Sequence, residues 1–108
     1  MSGDYIVVLA TFSSREEAER VANVLLQKRL IACANVLGPV SSLFWWSGNL
    51  DNAEEFLAIM KSRKVLFGEI AREVKALHSY AIPEIIALPI VAGYEPYLSW
   101  VGECVTLG

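Results

Sequence analysis

The residues best suited to metal binding or nucleophilic chemistry are one histidine and two cysteines. His78 follows a predicted helix, where it either ligates a metal or binds locally, for example to the carbonyl groups at the helix end. A metal site needs several converging donors, which one histidine does not provide. Cys33 lies in an apolar strand, and Cys104 shares helical spacing with Tyr97 and Val101, so both thiols are predicted to pack as small hydrophobic groups. Nothing in the sequence brings His78 to either thiol, so no Cys/His nucleophile pair is predicted.

Lys61 ends an apolar predicted strand, which is an unusual place for a charge. A lysine beside aromatic walls suits an anionic small molecule; the alternatives are an ion pair with Glu84 or an extended surface lysine. Trp45 and Trp46 point to opposite faces of a strand, so at least one is expected in an interface. Trp100 lies on the predicted C-terminal helix, and each tryptophan serves either packing or a pocket wall.

Other acidic and glycine-containing motifs predict solvated surface rather than a reaction centre. Glu17 has capping-box spacing to Ser14 at a helix start, and Glu54 and Glu55 are predicted on a solvated hairpin face. The sequence contains neither GxxxxGK nor GxGxxG, the patterns of phosphate-binding loops. Because no nucleophile–base pair or metal triad can be assembled, we predict that the protein is not an enzyme.

Composition indicates one small domain, residues 1–108, with more apolar surface than one copy can bury. The chain is 55% hydrophobic and 19% charged, and small domains have little interior for their surface. Association with copies of itself is the simplest outlet, and an unusually apolar monomer is the alternative. The net charge of −3 and the absence of a basic stripe argue against nucleic-acid binding. With no signal peptide or membrane-spanning run visible, we expect a cytoplasmic protein with free thiols and no membrane segment.

Hydrophobic periodicity predicts the order β-α-β-β-α-β followed by a terminal helix, the ferredoxin-like α+β arrangement. The first and third strands should be neighbours, with both helices on one face of the sheet. Apolar residues on both faces of the third strand then require a second covering layer, which we assign to another subunit. The predicted strands are 5–12, 31–37, 54–61 and 84–91, and the second of them resumes at 42–46 after an interruption at Gly38-Pro39. The first predicted helix is 15–28. The second is capped by Ser62 and ends before His78, and the third has Pro96 in its first turn.

Four segments resemble signatures of the CutA family, the divalent-cation tolerance proteins. Residues 29–35 (RLIACAN) are similar to RLAACxN, 41–48 (SSLFWWSG) to SxYxWxG, 78–90 (HSYAIPEIIALPI) to HPYxxPEIIALPI, and 97–101 (YLSWV) to YLxW. The likeness covers nearly the whole chain in order. It implies a ferredoxin-like protomer, a tight homotrimer in which hairpin strands pair between subunits, and an architecture like that of the PII signalling proteins.

The resemblance also implies a function linked to metal ions. It identifies the protein as a small-ligand or metal-ion binding or sensing module, with a stable trimeric scaffold for partner proteins as the alternative. Copper is the candidate cofactor with His78 as its candidate ligand, yet family members proposed to bind copper offer a cysteine and a second histidine where this chain has Ala10 and Leu77. The resemblance further implies a ligand-binding cleft between subunits, whose candidate ligands are a divalent cation or a small anion. The residues predicted to line this cleft are Cys33, Trp45, Lys61, His78, Tyr80, Glu84 and Trp100.

Overall fold

The computed structural model describes residues 4–106 and has the predicted element order. The chain forms four strands and three α-helices, and a 3₁₀ turn precedes the second helix. The elements are β1 (Tyr5–Phe12), α1 (Arg15–Gln27), β2 (Cys33–Trp46), β3 (Asn49–Arg63), the 3₁₀ turn (Lys64–Leu66), α2 (Phe67–Leu77), β4 (Ile85–Pro89) and α3 (Glu95–Cys104).

The strands form one antiparallel sheet in the order β2-β3-β1-β4, which is the ferredoxin-like arrangement. The first and third strands are neighbours, as predicted, and their register runs from Tyr5 opposite Arg63 to Phe12 opposite Phe56. The short strand β4 lies at an edge, where Pro89 is tolerated because no further strand needs its missing N–H group.

One face of the sheet carries the core beneath α1 and α2. Alternate residues of β1 are buried there, and the others are only half-buried. Although residues 5–12 form a continuous apolar run, β1 is therefore fully buried on one face only within one chain. The largest side chains of this core include Phe12, Leu25, Met60 and Ile70.

The second face of the sheet is only partly covered. Helix α3 packs on it through the buried Leu98 and Val101. Leu37, Ile86 and Leu88 remain between 42% and 51% exposed. The expectation that one chain leaves this face uncovered is therefore confirmed in part, because α3 covers some of the face and apolar residues on the rest of it remain exposed.

Strands β2 and β3 extend beyond the rest of the sheet as a two-stranded arm, residues 40–55. A bulge between Leu37 and Val40, with a cis Gly38-Pro39 peptide, marks where the arm begins, so the predicted interruption is a bulge within one long strand. The arm closes at Ser47 and Gly48, whose φ values of 52° and 79° match a two-residue hairpin turn. Its apolar side chains are uncovered, with Leu43 81% and Trp45 71% exposed.

The start of the second helix differs from the prediction. Ser62 is not its cap but a buried residue of β3, whose Oγ donates to the Leu30 carbonyl oxygen at 2.6 Å. The 3₁₀ turn leads into α2 instead, and α2 ends before His78 as predicted. Helix α1 ends at Gln27, because Arg29 adopts a left-handed conformation with φ 59°. Within residues 4–106, every helix is too short or too polar to cross a bilayer.

Candidate functional site

A cluster that we call the Lys61 group lies on the second face of the sheet. Cys33 and Lys61 are opposite each other on β2 and β3, and Asn35 lies two residues further along the same face. The Lys61 ammonium donates to Asn35 Oδ1. Cys33 Sγ lies 3.4 Å from the Tyr97 hydroxyl of α3, and either atom can donate. The Lys61 group thus joins β2 and β3 to α3. Its members are Cys33, Asn35, Lys61 and Tyr97, with the neighbouring Trp100.

Tyr97 and Trp100 form an aromatic pair on α3. Their ring centroids are 5.6 Å apart and the planes are tilted by 37°. The pKa of Tyr97 is raised to about 12, first by its hydrogen bond with Cys33 and then by burial. The rings are 39% and 43% exposed, so they offer an accessible wall beside the polar atoms.

Lys61 does not pair with Glu84 within the chain. Lys61 lies opposite Val7, whereas Glu84 precedes Ile85, which lies opposite Ala10 at the other end of β1. Of the two alternatives to anion binding, the intrachain ion pair is therefore wrong. Asn35, which the sequence analysis did not single out, holds the ammonium instead.

His78 belongs to a second cluster, the His78 group, at the far end of β1. Its side chain is fully buried and stacks on Phe12 with a centroid distance of 4.6 Å. Nδ1 accepts a hydrogen bond from the Tyr80 N–H at 3.0 Å, so the ring proton is on Nε2, which donates to the Thr11 carbonyl at 2.6 Å. Both ring nitrogens are engaged by the backbone, which is the local role that the sequence left open.

Glu17 is the buried carboxylate of the His78 group. It accepts from the Ser79 N–H at 2.7 Å, from the Ser79 hydroxyl at 3.1 Å and from the Ser13 hydroxyl at 3.2 Å. Burial opposes ionisation, but the hydrogen bonds from Ser79 and Ser13 outweigh it and lower the pKa of Glu17. Ser14 caps α1 by accepting from the Glu17 N–H at 3.1 Å, as predicted.

Tyr80 connects the loop after α2 to the root of the arm. Its hydroxyl donates to Glu55 Oε2 at 2.7 Å. Burial first, and then the Glu55 carboxylate, raise the pKa of Tyr80 to about 12. Glu55 is buried, so its predicted place on a solvated face is wrong. The His78 group thus connects the loop after α2 to β1, α1 and β3. Its members are Glu17, Glu55, His78, Ser79 and Tyr80.

The His78 region of one chain does not fit a copper site. A metal on His78 would displace one of its two backbone partners. Ala10 is buried in the core, and Leu77 packs against it. In the stretch from residue 4 to residue 106, no three His, Cys, Asp or Glu side chains are grouped to hold a metal ion.

The predicted cleft residues occupy separate places in one chain. Lys61 is aligned with Val7, and His78 contacts Thr11, four residues along β1, which is about 13 Å. Trp45 lies on the arm, away from both groups. A concavity of about 490 Å³ between α2 and β4 contains none of the predicted residues; its lining is Ile6, Lys64, Phe67, Gly68, Ala87 and Pro89.

Comparisons with known proteins bear on this arrangement. The family described as CutA1 divalent ion tolerance protein matches residues 6–104. The divalent-cation tolerance protein CutA of Archaeoglobus fulgidus is 47% identical over 98 residues, covering 91% of this chain and 95% of that protein. The Thermus thermophilus protein of the same name is 40% identical over 97 residues, covering 90% and 94%.

Solved structures agree with the sequence matches. Rice CutA1 superposes with a TM-score of 0.95 at 34% identity, covering 99% of this chain and 98% of that one. The Archaeoglobus fulgidus protein, described as periplasmic, superposes with a TM-score of 0.92 at 45% identity, covering 94% and 99%. The family match, the two relatives and the shared fold make this chain a member of the CutA1 divalent ion tolerance protein family.

Proposed function

We propose that the protein is a homotrimeric small-ligand-binding module that acts in the response to divalent metal ions. The observation that carries the proposal is the combination of an uncovered sheet face with an arm of exposed aromatic residues. The relatives named for divalent-cation tolerance support the link to metal ions.

Assembly follows from the cost of leaving the apolar surface in water. Burying apolar area contributes about 25 cal/mol per Å², and an obligate interface can bury more than roughly 2,000 Å². The arm and the second sheet face offer such a surface. Trp46 and Leu50 are exposed on the arm, and Ile86 and Leu88 on the sheet. We therefore propose that hairpin strands pair between subunits, as the family resemblance implies.

The ligand-binding part of the proposal rests on the separation of the predicted residues in one chain. A cleft between copies would bring the Lys61 group of one subunit towards Glu84, Tyr80 or Trp45 of another. Lys61 suits an anionic head group, and the aromatic side chains suit a planar or apolar body. His78 then orders the loop that carries Tyr80.

Sedimentation of the wild type and two variants tests the assembly. We expect a trimer at micromolar concentration, and we expect Trp46→Asp to dissociate or unfold it because a charge would enter the interface. Val65→Asp is the matched control, since Val65 is exposed on the 3₁₀ turn, outside the arm. A well-folded wild-type monomer, or a trimer that tolerates Trp46→Asp, would contradict the proposal.

Titration calorimetry tests the ligand. Divalent cations, including copper, and adenine nucleotides are added separately to the full chain. Heat with any of them would support a binding module, whereas no heat with all of them would refute this part of the proposal. The proposal includes no reaction, so turnover that is abolished by replacing Lys61 or Glu84 would also contradict it.

The alternative function is a trimeric scaffold for partner proteins. Exposed apolar side chains in the loops on either side of β4, Ile82, Val91 and Tyr94, favour a further contact surface. A pull-down that recovers only the protein itself would count against this alternative.

A cytoplasmic location is part of the proposal. One relative is described as periplasmic and plant relatives as chloroplastic, so the location needs its own measurement. Cell fractionation is expected to recover the protein with cytoplasmic markers.

A further inference from the structure

We propose that Arg15 and Tyr80 clamp the arm at its base, so that each protomer holds the arm in the direction that assembly needs before copies meet. This inference rests on the proposed homotrimer and adds a conformational device that controls its formation. Both contacts lie within one protomer, between the body of the fold and the base of the arm, so they require no free surface.

The arm meets the body at a joint formed by Gly38 and Pro39 on β2 and by Glu55 and Phe56 on β3. Phe56 is the last residue of β3 that pairs with β1, and the bulge interrupts β2 opposite it. Beyond the joint only two strands remain, and an isolated two-stranded hairpin is marginally stable in water. The direction of the arm therefore depends on contacts made at the joint.

Arg15 holds the joint from α1. Its Nη2 donates to the Gly38 carbonyl oxygen at 3.1 Å, and its guanidinium carbon lies 5.1 Å from the centroid of the Phe56 ring. Arg15 is the first residue of α1, where the helix dipole disfavours a cation, so helix formation does not explain its position. A bulge disrupts the ladder locally, and the guanidinium donates to a backbone oxygen there. One side chain thus contacts both strands of the joint.

Tyr80 holds the joint from the loop after α2. Its hydroxyl donates to Glu55 Oε2 at 2.7 Å, and because Glu55 is buried, this bond offsets part of the cost of burying the carboxylate. Tyr80 is itself held by His78, since the two ring centroids are 4.7 Å apart and the Tyr80 N–H donates to Nδ1. His78 stacks on Phe12, the β1 residue opposite Phe56. The contacts therefore run from one residue of the joint through the body and back to its neighbour.

The two clamps act on opposite faces of β3. Consecutive side chains of a strand point to opposite faces, so Glu55 and Phe56 are held from different sides. Bending the arm towards either face would then lengthen one of the two contacts. An arm held in this way has less conformational freedom to lose on association, so the clamps should strengthen assembly by preorganisation.

Distances between spin labels test whether the clamps hold the arm. Labels are placed on an azide-bearing amino acid at Asn49 on the arm and at Lys75 on α2, both exposed, so that the native cysteines stay unchanged. Labelled chains are assembled with an excess of unlabelled ones, so that only distances within one chain are measured. We expect a narrow distribution with the wild-type clamps and a broader one when Arg15→Gln and Tyr80→Phe are combined.

Sedimentation over a dilution series tests the effect on assembly. The apparent affinity is reduced by the fraction of protomers that are competent to bind, here those with the arm in place. If the double variant keeps the arm in place in roughly a tenth of its protomers, the trimer constant falls by the cube of that fraction, about a thousandfold. The midpoint concentration of trimer formation then rises about thirtyfold. Each single substitution should give a smaller shift.

Arg20→Gln and Tyr94→Phe are the matched controls. Arg20 is exposed on the same helix as Arg15, and Tyr94 is 77% exposed. Both should leave the distance distribution and the midpoint unchanged. Glu55→Gln should change them less than Tyr80→Phe does, because the amide oxygen still accepts from the hydroxyl. Circular dichroism checks each fold, and Glu55→Gln replaces Tyr80→Phe in the double variant if the latter unfolds.

The result expected is a broader distribution, a higher midpoint or both in the double variant, and neither in the controls. An unchanged distribution together with an unchanged midpoint, or equal changes in the controls, would overturn the inference. A wild type that is monomeric at micromolar concentration would refute the proposed assembly, while the distance distribution would still decide whether the clamps hold the arm. The two failures are therefore distinguishable.

Discussion

Replacing Glu17 by glutamine should destabilise the protein in a pH-dependent way. The substitution keeps the size of the side chain and removes its charge. In the native protein the carboxylate accepts from the Ser79 N–H, and also from the hydroxyl groups of Ser79 and Ser13. A glutamine has one acceptor oxygen, so its NH₂ group must face donors that the carboxylate accepted from.

The magnitude follows from the class of hydrogen bond. Bonds to a charged group contribute about 1.5–3 kcal/mol, and neutral ones about 0.5–1.5 kcal/mol. The amide oxygen can accept from the Ser79 N–H while the NH₂ group donates to the serine hydroxyls, which rotate to accept. The main loss is then that the hydrogen bond from the Ser79 N–H goes to a neutral group instead of a charged one. Relief from burying a charge offsets part of it. We expect the free energy of unfolding to fall by about 1–2 kcal/mol at pH 7.

The pH dependence has a definite sign. The pKa of Glu17 is lowered in the folded protein from its ordinary value of 4.5. Its contribution is therefore fully present above that value and is lost as the pH falls through the folded pKa. The glutamine variant has no carboxylate to protonate at this position. The difference between its free energy of unfolding and that of the wild type should therefore become smaller in acid.

Urea unfolding at pH 7 and at about pH 3.5 measures both effects, at one protein concentration because association stabilises the folded state. Glu16→Gln is the matched control, since Glu16 is exposed in the same helical turn. It should change stability by a few tenths of a kcal/mol, or about 1 kcal/mol at most. A deficit for Glu17→Gln that is absent at neutral pH, or equally large in acid, would refute the reasoning.

Two further substitutions test buried contacts, with thermal or urea unfolding as the measurement. Ser62→Ala should cost about 1–2 kcal/mol because the Leu30 carbonyl loses its donor, and a loss near zero would contradict that role. Gly38→Ala should cost more than about 2 kcal/mol, since φ is 155° and a new Cβ would lie 2.6 Å from Phe56 Cδ2. Gly68→Ala is its control, because it lies in α2 with open space around it and should stabilise by about 0.5–1 kcal/mol.

Much of the fold could be predicted because local periodicity reports burial. The helical spacing of Val21 and Leu25 in α1, and of Ile70 and Val74 in α2, matches the core positions that these residues occupy. The adjacency of β1 and β3 followed from the order of elements and the topology rules. Family resemblance was confirmed over nearly the whole chain.

Interactions between distant segments could not be predicted. Ser62 has the residue type of a helix cap, and only the folded chain brings it to Leu30. Glu17 has the spacing of a capping box, but its strongest partner, Ser79, is 62 residues away. Propensity describes neighbours in sequence, so these tertiary contacts override it.

The candidate site was predicted as a set of residues but not as a geometry. Lys61 stood out as a charge in an apolar strand, yet its partner Asn35 gave no separate signal. His78 was recognised as the only histidine. Its burial against Phe12 could not be predicted, because it depends on the fold bringing the end of α2 next to the end of β1. Sequence patterns identify unusual residues, and the register of the sheet decides which of them meet.

The bulge at Gly38-Pro39 makes the length of the arm independent of the core. Side chains alternate along each strand, so inserting two residues into both β2 and β3 would lengthen the arm by about 7 Å and keep every face as it is. A single inserted residue would turn each side chain beyond it to the opposite face. Insertions in pairs would therefore move the tryptophan-bearing tip further from the four-stranded sheet while the sheet itself stays unchanged.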